Sequence, residues 1–363
     1  MIRIFCLLCV FTIFIEFSHA SNILQVKSEP ISTSFSPKND IAYIVSTLQS
    51  VVVAYKYDPK NGKLEEIEGM TFNTGGEAPR PPVFSRDGRF IYIVNTLSNS
   101  IVVMSVADDG KLNIIQKIHE GAPLKRSSFS PDGNYFYVLS PESYIILMYN
   151  VDKHSGKLSK AMTNLYPAGN IESKYSPSTL SFSQNGKYAY LTNGLSSSIN
   201  TYDYNPNTGD LILNPERTIF TPTSGDDLFI SRDKDSKNLY VPINLGNMIK
   251  HYYLENELII ESALKGVDGV IAPVQVEIYN GYAYINSELE NKIYVYIQQP
   301  DGSLIPKTDA EQKPYYIDTV VNPVIQIIAR DENVFLLATS PEQNSIASYR
   351  ILDNGDLIPN DVY

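Results

Sequence analysis

Tryptophan is absent from the 363 residues, cysteine occurs twice, histidine four times, and no long apolar run returns after Phe17. Each scarcity removes options. Without Trp there is no tryptophan–aspartate repeat signature. Both thiols, Cys6 and Cys9, fall within the first nine residues, so the rest of the chain has no disulfide framework and is large enough to do without one. So few His and Cys leave no zinc-ligand spacing. Asp233-Lys234-Asp235 lacks the glycine and closing glutamate of a calcium loop. No metal or other cofactor is expected. Lys and Arg number 29 against 40 Asp and Glu, a net charge of −11 with no basic block, which excludes nucleic acid and anionic membrane surfaces as partners.

What is present begins with a leader. Arg3 precedes an apolar run from Ile4 to Phe17, followed by Ser18-His19-Ala20. One early positive charge, a short apolar core and a small-x-small end predict a secretory signal peptide at residues 1–20. The run is shorter than the roughly 20 apolar residues of a membrane span. Residues 21–363 are then a single exported domain, secreted or periplasmic, with no membrane span after cleavage and expected as a monomer.

Two unrelated markers recur through that domain. A turn followed by leucine gives Leu64, Leu112, Leu158, Leu211, Leu258, Leu304 and Leu357, spaced 46 to 53 residues apart by subtraction. Six copies carry glycine, as in Asn61-Gly62-Lys63-Leu64; the seventh, Glu255-Asn256-Glu257-Leu258, has lost it. An aromatic in an apolar run gives Tyr43, Tyr92, Tyr137, Tyr190, Tyr240, Tyr284 and Phe335, spaced 44 to 53 apart. Each unit reads as four short β-branched and aromatic runs separated by Gly, Asn and Asp turns. Seven such units predict an all-β, seven-bladed β-propeller of four-stranded antiparallel blades, since one sheet cannot cover both of its own faces. Six residues follow Leu357, too few for an outer strand. Residues 23–28 are therefore expected to close the last blade.

The antiparallel order separates two faces. The Ser-x-Asp-Gly and Gly-x-Leu turns lie on one; longer, irregular blade-to-blade loops emerge on the other, as binding loops do. That loop face brings forward Arg80, Arg126, Asp226, Asp227 and Asn244 as binding candidates and Glu288 as a candidate catalytic carboxylate. Of the histidines only His119 stands near that face.

The units resemble the seven-bladed lactonase family, which includes 6-phosphogluconolactonases and carboxymuconate-cyclising enzymes. The phrases that carry the resemblance are Phe129-Ser130-Pro131-Asp132-Gly133, Phe182-Ser183-Gln184-Asn185-Gly186 and Tyr202-Asp203-Tyr204. It implies His and Arg before inner strands and an acidic residue after a second strand. Here Pro273-Val274-Gln275 stands where the family has Pro-Arg-His, and Ser224-Gly225-Asp226-Asp227 where a His is expected. Ile243-Asn244 replaces a further acidic position, while Ser287-Glu288-Leu289 keeps one. The favoured expectation is a lactonase-like scaffold that binds a small molecule, glycan or protein through its loop face. The alternative is a lactone hydrolase using carboxylate general-base chemistry, because ring opening needs a base for water and a positive group for the oxyanion.

Overall fold

The computed structural model describes residues 22–27, 29–169, 176–194, 196–222, 231–232, 237–263, 266–330 and 332–360. Residues 1–21, Asp226 and Asp227 lie outside these. Strands account for all regular elements among the described residues except one 3-10 turn, Asn244–Gly246. None of the described helices is long and apolar enough to cross a membrane.

Seven antiparallel sheets follow one another along the chain. Blade 1 runs Pro30–Phe35, Ile41–Ser46, Val51–Asp58 and Lys63–Asn73, from the innermost strand outward. Blades 2, 3 and 4 repeat that order from Val83–Phe84, Ser127–Phe129 and Pro177–Phe182. Blades 5, 6 and 7 start at Ser231–Arg232, Pro273–Tyr279 and Val324–Arg330. The second strands are the most deeply buried, every residue of Phe90–Asn95 and Tyr135–Ser140 included. Seven apolar clusters hold the interior, most of them filling the space between one blade and the next.

A hydrogen bond between neighbouring blades accounts for the two sequence markers. Tyr43 donates its hydroxyl to the carbonyl of Gly110 in blade 2 at 2.7 Å, and Tyr92 to Gly156 in blade 3 at 2.8 Å. Tyr137, Tyr240 and Tyr284 repeat the contact on Gly209, Gly302 and Gly355. Each tyrosine thus reads the turn of the following blade. A Cβ on Gly156 would stand 2.4 Å from the Phe90 ring, at a φ of +72° that side chains avoid. Where glycine is lost, Tyr190 still reaches the carbonyl of Glu257, which adopts φ +64°. The seventh aromatic marker is corrected by two residues. Leu337, not Phe335, pairs with the third strand at the tyrosine position, Leu337 to Ser348 as Tyr92 to Val103. Phe335 instead covers Gly62, as Phe90 covers Gly156.

The third strand of blade 7, Ser345–Ile351, is covered on its outer edge by two short pieces. Ile23–Gln25 pairs with its first half and Leu357–Pro359 with its second. The two ends of the chain meet on one strand and close the ring.

Candidate active site in the central channel

The innermost strands of blades 1, 2, 3, 4, 6 and 7 surround a cavity of about 650 Å³, within the range of small-molecule sites. Its wall is largely hydroxyl and aliphatic, from residues such as Ser32, Ser34, Ser127, Thr179, Val274 and Ile325. Three charged residues line it: Arg80, Arg126 and Glu277.

Arg126 sits immediately before an innermost strand and Arg80 three residues before one, both on backbone fixed to the second strand of their own blade. Arg80 donates its amide to the Val94 carbonyl at 2.8 Å, and its Nε reaches Thr96 Oγ1 at 3.3 Å. Pro81 and Pro82 follow it, favouring the extended backbone that carries the chain into the strand. Around Arg126, Lys125 N bonds the Leu139 carbonyl and Leu139 N bonds the Arg126 carbonyl, at 2.9 and 2.8 Å.

Glu277 comes from the innermost strand of blade 6. Strand alternation sends Val276 and Ile278 into the interblade core and turns Gln275 and Glu277 to the channel. In a ring of seven, blade 6 faces the junction of blades 2 and 3, so Glu277 and the two arginines line opposite sides of the channel. Gln275 fixes its surroundings. Ile325 N of blade 7 donates to Gln275 Oε1 at 3.2 Å, which aims Nε2 at Glu277 Oε1, 2.8 Å away. Asn286, fully buried, accepts from Gln275 N at 2.7 Å and donates to the Pro323 carbonyl. Burial at the wall of a confined cavity penalises the carboxylate and pushes the Glu277 pKa up to about 7, against a smaller lowering by the Gln275 amide.

The remaining sequence candidates stand elsewhere. Glu288 and Asn244 occupy turns of adjacent blades and are joined there, Asn244 Nδ2 donating to Glu288 Oε2 at 2.9 Å. Neither contributes to the described cavity wall. Arg80 and Arg126 do come together on it. Asp226 and Asp227 lie outside the described residues. His119 is exposed on an outer strand, His154 is exposed in a tight turn, and His251 is buried, stacked on Tyr240 at 5.3 Å with Asn238 Oδ1 2.9 Å from Nε2. Glu277 was missed because Val-Gln-Val-Glu-Ile-Tyr reads as an ordinary half-exposed strand. No group of three or more His, Cys, Asp or Glu suited to a metal occurs among the described residues.

Ring and cavity together define a seven-bladed propeller with a ligand-sized central site. The profile of the family described as lactonase, seven-bladed beta-propeller, matches residues 28–171 and 160–260. The chain belongs to this family. A 6-phosphogluconolactonase of Bacillus subtilis is 28% identical over 139 residues, 36% of this chain and 39% of that protein. An uncharacterised protein of Staphylococcus saprophyticus is 22% identical over 333 residues, 86% of this chain and 93% of its own length. The solved periplasmic gluconolactonase of Pseudomonas aeruginosa superposes with a TM-score of 0.64 at 18% identity, over 75% of this chain and 82% of that one.

Proposed function

We propose that the central cavity hydrolyses a lactone bearing a negative charge, with Glu277 as general base and Arg80 and Arg126 receiving the anionic group. The observation that carries this reading is a channel carboxyl whose pKa is pushed up to about 7, where a base is both available and strong enough to act near neutral pH. Glu277 takes a proton from water as the water oxygen bonds to the lactone carbonyl carbon. The tetrahedral oxyanion collapses with cleavage of the ring C–O bond. The departing alkoxide takes the proton back from Glu277, leaving a hydroxy acid. Hydroxyls on the cavity wall, Ser127 and Thr179 among them, are donors within the same space for the developing oxyanion.

The test is a panel of charged and neutral lactones, followed by proton release at pH 8 with the native protein and Glu277→Gln. Turnover above buffer, lost by about a hundredfold or more in the variant, is the expected result. Native protein with no turnover on any member overturns the reading.

The scaffold reading has one feature in its favour. Leu48, Leu97, Leu245 and Leu289 occupy the same turn in four blades of the loop face and are 67 to 74% exposed. The lactone panel separates the two, because a scaffold gives no turnover. The same account takes the chain to be exported, on the strength of the apolar segment ending in Ser18-His19-Ala20. A mature N-terminus at Ser21 is expected, and retention of residues 1–20 would contradict it.

A further inference from the structure

The repeat lets one seam between blades be compared with another. At the seam of blades 3 and 4, Tyr204 packs edge-on against Phe182, ring centroids 5.0 Å apart at 68°, in one cluster with Tyr135 and Tyr137. Ser130 and Asp132 stand near its hydroxyl, which makes no hydrogen bond. At the seam of blades 7 and 1, Tyr57 meets Phe35 at 5.0 Å and 78°, in a cluster with Phe335. Both tyrosines stand opposite the turn leucine of their blade, Tyr204 on Leu211 and Tyr57 on Leu64.

In blade 3 the residue opposite Leu158 is Val151. The receiving ring, Phe129, is kept, edge-on to Tyr92 at 4.9 Å. Where the phenol would stand there is instead a cavity of about 310 Å³ on the tight-turn face, walled by Phe129, Val151, Phe90, Tyr92, Ser85 and Asp87. Five of these, Phe129 included, are the counterparts of the groups around Tyr204. Ser85 bonds Asp87 and Phe90 N as Ser130 bonds Asp132 and Tyr135 N, and Tyr92 corresponds to Tyr137 through its turn contact. Blade 2 also has valine at this position, Val106, but packs Met70 into the same cluster. The seam of blades 2 and 3 keeps the walls that surround tyrosine in blade 4 but has valine at that position, which is Glu255, Gln298 and Ile351 in blades 5, 6 and 7.

We propose that this seam binds a para-substituted phenol in the space that tyrosine fills in blades 1 and 4. The ring lies edge-on to Phe129 with its hydroxyl toward Ser85 and Asp87, and the para substituent leaves past Val151 beside Lys153, which is exposed at the cavity edge. Aromatic-walled cavities take up small rings, and edge-to-face geometry favours an aromatic over an aliphatic guest. The site is on the face opposite the candidate active site and independent of it.

Ligand-observed NMR and calorimetry with p-cresol on the full chain test this. Saturable one-site binding near 1 mM is expected, on the order set by the efficiency of small ligands. Val151→Tyr, which restores the side chain of blades 1 and 4, should weaken binding at least tenfold and raise the melting temperature, with lactone turnover unchanged. Phe129→Leu, which keeps an apolar wall, should also weaken it. Absence of saturable binding by the native chain, or affinity untouched by either variant, overturns the proposal.

Discussion

Glu277 shows how a single side chain is set by its surroundings. Its pKa is raised from 4.5 to about 7 by burial, so between those values the folded protein holds a proton that the unfolded chain has released. Stability should therefore be full below about pH 4.5, fall as pH rises to about 7, and stay at the lower level above. Glu277→Gln carries no charge to bury, so its melting temperature should gain on the native protein between pH 5 and pH 8. A constant difference across that range would contradict the burial argument. The arginines could be read from the sequence because the repeat fixes what precedes each innermost strand. Glu277 could not, since a polar residue at period two signals a solvated sheet face, and nothing local says that this face turns toward a shared, confined channel. Glu288 drew notice as a family remnant, yet its carboxylate is taken up by Asn244 in a turn.

At the level of elements, the tyrosine-to-glycine bonds join strand and turn across five of the seven seams, so their loss should be felt in global stability. Tyr92→Phe removes the 2.8 Å bond to the Gly156 carbonyl and is expected to cost about 1 kcal/mol in denaturant unfolding. Glu257 holds φ +64° without being glycine. Glu257→Gly should stabilise by about 1 kcal/mol, a result that a fall in the unfolding midpoint would contradict. The blade count was legible because these paired features repeat. The register of the last blade was not, because leucine replaces tyrosine at position 337 and leaves Phe335 as the nearest aromatic.

The whole molecule is a ring closed by pairing Ile23–Gln25 and Leu357–Pro359 with one strand of blade 7. Removing residues 1–27 would bare half of that edge, and exposed edges invite association; a lower melting temperature and aggregation on light scattering are expected, while unchanged melting would contradict closure. A closed ring is also what sets blade 6 across from blades 2 and 3, and so Glu277 across from Arg80 and Arg126. The chemistry assigned to that channel is tested most directly by the pH dependence of kcat/KM for a lactone that the native chain turns over. The account predicts a rate that rises as pH passes through about 7 and then levels, with this limb abolished in Glu277→Gln. A rate independent of pH between 5 and 8, or a limb that survives in the variant, would contradict it.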